Sequence, residues 1–208
     1  MLVRLTLKAH HAPAAAGLSA AICALTLLLN GHTIMLPQLL AGLTRPINIG
    51  LLFAVGFAPT TAYLFGGDPL LLEAQARRPL LSLDLTLGAV ITAPILLAAC
   101  AALTTRDTST ALGLARNGCA FIATTLLLLT LTRPSIAATV PVLYFLAIST
   151  VGLKSDGSSH TWAWLRAQPS PASCVASIAL LALAITAFHR LARRQAAARR
   201  PLEDRAAT

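Results

Sequence analysis

The feature that most constrains this chain is a series of apolar runs, each close to the ~20 residues that a helix needs to cross a hydrocarbon core. They are rich in Leu, Ala, Ile and Thr, and they do not alternate polar with apolar as the strands of a membrane barrel would. A backbone in lipid must satisfy its own hydrogen bonds, so each run is expected to be a helix. Six spans are read this way: about 14–30, 47–65, 85–103, 111–131, 135–153 and 172–189. The expected fold is all-α, a polytopic helical membrane protein with a single transmembrane domain over 1–189 and a basic tail over 190–208.

Composition supports that class. Only 11% of the 208 residues are charged, against about 25% in a typical soluble domain, and the mean hydropathy is +0.75. The net charge of +9 reads as topology rather than as a nucleic-acid surface. With the N-terminus inside, 11 of the 16 Lys and Arg residues fall on the inner side and 5 on the outer, as the positive-inside rule requires. An even number of spans then places both termini in the cytoplasm, and the basic tail faces anionic lipid heads. Arg4 and Lys8 resemble the basic start of a signal peptide. The long leader and the missing small-residue cleavage site favour a retained first span. The cell membrane is the expected location.

Between the first two spans, Ile34 to Leu43 form an apolar patch that reads as an interfacial segment or an extension of the first hairpin. Pro59, Pro94 and Pro141 fall inside spans, where a missing backbone donor can kink a helix.

The loop "GGDPLLLEAQARRPLLSLD" carries helix signals over about 68–78. Asp68 is an N-cap residue and Pro69 suits the first helical position. Glu73 and Arg77 form an i,i+4 pair, and Arg77 and Arg78 complement the C-terminal dipole. Such a helix lies on the membrane surface or docks on a cytoplasmic partner. Ser82 or Asp84 then caps the third span. On the other side, Trp162 and Trp164 are the only tryptophans and suit the outer interface as anchors. A strand or turn would point them the same way, and a helix would splay them.

Arg116 and Asn117 near the start of the fourth span are the polar exception. Arg116 lies within about 8 Å of the outer end, so its side chain can snorkel to the interface. The sharper reading turns the pair toward the bundle interior, with Asn117 bonding another helix.

Chemistry is otherwise sparse. Cys23, Cys100, Cys119 and Cys174 lie in or beside apolar runs, without CxxC or nearby His ligands, so neither a disulfide framework nor a metal site is expected. No P-loop, HExxH or nucleophile-elbow pattern occurs. All seven carboxylates fall outside the spans or at their ends, which argues against a proton-driven carrier. No catalytic residue, cofactor or nucleic-acid partner is expected.

Three stretches carry a family resemblance: "EAQARRPLLSLDLTL", "LGLARNGCAFIA", and the order of "VPVLYFL", "WAWL" and a small-residue-rich last span. With six spans in about 200 residues, the chain resembles the membrane subunit of a type-2 ATP-binding cassette transporter, of the small kind common in actinobacteria. The stretches cover about half the chain. The resemblance implies a permease for export of an unidentified substrate, pairing with a second copy or a sister subunit and driven by a separate ATPase. It implies a coupling helix around Asp68, Glu73, Arg77 and Arg78, and an ordering role for Arg116 and Asn117. The alternative is a non-transporting accessory or immunity-type protein that works through helix packing.

Overall fold

The computed structural model describes residues 12–37, 44–66, 80–104, 108–154, 156 and 158–206. The chain is mostly helical: α1 (Ala12–Leu28), α2 (Ile49–Ala54), α3 (Phe57–Phe65), α4 (Leu80–Thr104), α5 (Thr108–Leu129), α6 (Pro134–Val151) and α7 (Pro171–Ala206). Among the described residues, three stretches are long and apolar enough to cross a membrane, namely α5, α6 and Pro171–Leu191 of α7; Ala12–Leu28, Leu52–Phe65 and Gly88–Thr104 are shorter apolar helices.

α5 is the centre of the bundle. It packs against α2, α3, α4, α6 and α7. Of its apolar stretch 67% is buried within the chain, against 28% for α6 and 22% for that of α7, so the last two turn most of their surface outward. Phe121 meets Phe145 of α6 edge to face at 6.1 Å, and Phe65 of α3 meets Phe188 of α7 at 5.5 Å. Gly118 permits a close approach: a Cβ there would come within 2.8 Å of Ile95 Cδ1 on α4. Hydroxyls enter this apolar core by bonding their own helix. The fully buried Thr61, Thr125 and Ser177 each donate to the carbonyl four residues back.

The mostly helical fold fits the expected all-α class. It adds one short strand pair: β1 (Thr33–Pro37) pairs antiparallel with β2 (Thr44–Asn48), in a register from Thr33↔Asn48 to Pro37↔Thr44. α1 ends before Gly31, whose φ of 85° suits a glycine that turns the chain out of a helix. Pro37 and Pro46 bar continued helix, so Ile34 to Pro37, the described start of the apolar patch, run extended; residues 38–43 of the patch lie outside the described residues.

The second span is also divided. β2 takes Ile47 and Asn48, and the helix breaks at Val55–Gly56. Gly56 N–H donates to Phe53 O at 2.9 Å, a tight turn that starts α3. Pro59 therefore stands in the first turn of α3, where a missing donor does no harm, while Pro94 and Pro141 do lie inside α4 and α6.

α4 begins at Leu80, ahead of Ser82 and Asp84, so neither occupies the cap position. α6 starts where Pro134 dictates: Arg133 before it is extended, with φ −70° and ψ 152°, as a residue preceding proline prefers.

Candidate functional site

The site grows from one end of the bundle, where α1 ends, α2 and α5 begin, and the segment between α6 and α7 folds back. Asn30, just past α1, is the hub. Its Oδ1 accepts from Asn48 Nδ2 at 3.3 Å and from Thr110 Oγ1 at 2.7 Å. Asn48 caps α2, its Oδ1 accepting from Gly50 N–H at 2.8 Å. Thr26 Oγ1 donates to Ile22 O at 2.8 Å. These groups, with Ser109, Gly113, Leu114 and Pro169, line a cleft of about 200 Å³. Its lining is amide, hydroxyl and apolar, with no charged side chain among the described residues.

The segment between α6 and α7 folds in two steps. A short return from Gly152 to His160 is held by His160 N–H to Gly152 O at 3.0 Å and by an antiparallel bridge between Leu153 and Ser159. A 3-10 turn, Thr161–Ala163, follows. It inserts Ala163 and Leu165 into the core and treats the two tryptophans differently. Trp162 is exposed, stacks with His160 at 6.0 Å, and offers its carbonyl to the Tyr144 hydroxyl. Trp164 packs against the core. Neither a strand nor a long helix sets this pair; a tight turn puts one out and one in.

Arg116 and Asn117 sit about one turn further along α5 than the cleft wall. Both are fully enclosed, at 1% and 0% exposure, so Arg116 does not snorkel. It reaches across to the inserted segment: Nη2–H donates to Leu165 O, and Nη1–H donates to Ala167 O at 2.8 Å. Its Nε–H donates to Asn117 Oδ1 at 3.0 Å. Hydrogen bonds from a charged donor stabilise by about 1.5–3 kcal/mol each. Backbone carbonyls thus take the part that a carboxylate would take in an ion pair.

A second arginine, which the sequence reading counted only as an outer charge, works in the opposite direction. Arg166, in the inserted segment, donates from Nη1 to the carbonyls of Ile148 and Ser149 in the last turn of α6. Partial burial pulls its pKa down from the usual value. A cation at a helix C-terminus meets the negative end of the dipole. The segment is therefore clamped to α5 by Arg116 and to α6 by Arg166.

The start of α7 closes the assembly. Ser170 and Ser173 exchange bonds, Ser173 N–H to Ser170 Oγ at 3.2 Å and Ser170 N–H to Ser173 Oγ at 3.0 Å, a reciprocal cap with Pro171 in the first turn. Cys174 Sγ lies 3.2 Å from Leu112 O, tying α7 to α5. The "SPAS" run was a legible start signal that the sequence reading did not use.

Asp68, Glu73, Arg77 and Arg78, the candidate coupling helix, lie outside the described residues. Among the described residues no three His, Cys, Asp or Glu side chains gather in a metal-binding group. Compared with known proteins, the chain matches no family model, no curated protein and no solved structure.

Proposed function

We propose that this chain is a permease subunit in the bacterial cytoplasmic membrane, exporting an unidentified substrate under the drive of a separate ATP-binding cassette ATPase. It pairs with a second copy or a sister subunit, and it has no catalytic role of its own. In the proposed topology of six spans with both termini in the cytoplasm, the Asn30 cleft and the inserted Trp162–Trp164 segment belong to the outer side.

The observation that supports this reading best is the Arg116 clamp. A charge buried in an apolar helix marks function more often than packing, because its burial is costly. Here it joins the central helix to the segment beside a polar cleft. That arrangement suits the exit side of a pathway, where a helix movement must reach a closing element. The largely uncovered faces of α6 and α7 suit a partner subunit as well as lipid.

A pull-down of the detergent-solubilised chain from its native host tests the reading. Wild type is compared with a Glu73→Ala, Arg77→Ala variant. An ATPase held by wild type and lost by the variant supports both the permease and the coupling helix. An ATPase held by both moves the contact elsewhere. If none appears under conditions that preserve a known complex, the permease reading falls and the accessory-protein reading takes its place.

A further inference from the structure

We infer that the cleft at Asn30 is a binding site for a small neutral carboxamide, read by the side-chain amide of Asn48.

Three elements far apart in the sequence bring polar side chains to this cleft: Thr26 of α1, Asn48 ahead of α2, and Thr110 of α5. The Asn48 amide is its fixed point. Oδ1 accepts from Gly50 N–H at 2.8 Å, and Nδ2 donates to Asn30 Oδ1 at 3.3 Å. A backbone donor at one end and an acceptor at the other decide which end is oxygen, and they hold the amide in one orientation. A side-chain amide has two N–H donors and two acceptor sites. These two bonds use one of each. Asn48 therefore keeps one donor and, on the same rigid group, one acceptor. Asn30 Oδ1, by contrast, already receives two protein donors.

The complement of a donor beside an acceptor is an acceptor beside a donor, which is what a second carboxamide presents. A carboxylate offers acceptors alone and an ammonium donors alone. Either ion would also enter a cleft whose described lining carries no charged side chain, and a charge taken from water without a partner is costly. Leu114 and Pro169 give the cleft an apolar wall, and Gly113 adds no side chain to narrow it. An alkyl group on the amide suits that wall. The volume of about 200 Å³ admits a ligand somewhat larger than benzene, which an engineered cavity of about 150 Å³ holds. The inference uses neither the membrane topology nor an ATPase, so it stands or falls apart from the permease reading.

The test is the unfolding midpoint of the full-length chain in dodecyl maltoside, followed by tryptophan emission. Isobutyramide is compared with isobutyrate, isobutylamine and N,N-dimethylisobutyramide at matched ionic strength. A ligand held by the folded chain raises the midpoint with the logarithm of its concentration, by about 3–6 °C at ten times Kd. Isobutyramide is expected to do so. The two ions are expected to leave the midpoint unchanged, and so is the dimethyl amide, which has the acceptor but no N–H. No rise with isobutyramide, or a rise merely proportional to concentration, overturns the inference. An equal rise with either ion overturns the neutral assignment, and an equal rise with the dimethyl amide overturns the paired contact at Asn48 without any change to the chain. The Asn48→Asp variant keeps an oxygen to cap α2, since Asp caps a helix about as well as Asn, but it has no N–H to offer. With helical content verified by circular dichroism, it is expected to lose the isobutyramide response, and a retained response overturns the assignment.

Discussion

Arg116 on α5 donates to the carbonyl of Ala167, 51 residues later in the chain, at 2.8 Å. This contact and its neighbour at Leu165 hold the inserted segment on the bundle. Arg116→Leu is expected to strand both carbonyls, at about 1–3 kcal/mol for each buried acceptor left unpaired. Thermal unfolding in detergent would show a lower midpoint. Limited proteolysis would show earlier cleavage between residues 152 and 170. An unchanged cleavage rate would mean that packing of Ala163 and Leu165 alone retains the segment.

Arg166→Ala is expected to act more mildly. Its side chain is half-buried and meets the end of α6, where a cation contributes about 0.3–1 kcal/mol. The midpoint should fall less than for Arg116→Leu. The combined variant should lose more than the sum of the two, since each arginine limits the freedom that the other's loss would allow.

Close packing at Gly118 gives a separate test. Gly118→Val sets a branched side chain against Ile95, and overpacking of this kind costs about 1–3 kcal/mol. Pairing it with Ile95→Ala should recover part of the loss in a double-mutant cycle. No recovery would show that α4 and α5 do not meet at this point.

Acid should loosen the return before the tryptophans. The Ser158 hydroxyl and then its backbone N–H donate to Asp156, and they hold its pKa below the ordinary aspartate range. With the folded pKa depressed, the contribution is present above the unfolded value and is lost as pH falls through the folded value. Tryptophan emission followed down to strong acid should therefore change below the ordinary carboxylate range. Asp156→Asn should abolish that change.

Helical class and the ends of α5 and α6 were legible in the residues. Long apolar runs allow few backbone solutions, and Pro134 marks its boundary by steric rule. The division of the second run at Val55–Gly56 was not legible, since a lone glycine in an apolar stretch fits an unbroken helix as well as a break. The strand pair was hidden because "TIMLP" and "TRPIN" are too short for their periodicity to separate strand from interfacial coil. Arg116 stood out as a charge in the wrong place. Its partners did not, because they are backbone carbonyls, which every sequence offers at every position. Arg166 was hidden for the same reason.

α7 runs from Pro171 to Ala206 over 36 residues, about 54 Å of helix, where a bilayer core needs about 30 Å. Its first turn is fastened to α5 through Cys174 and Leu112, four residues from the Arg116 side chain's own place on that helix. Its far end carries the arginines from Arg190 onward. The excess of about 24 Å over that core is enough to carry the arginine-rich end beyond the hydrocarbon of a bilayer.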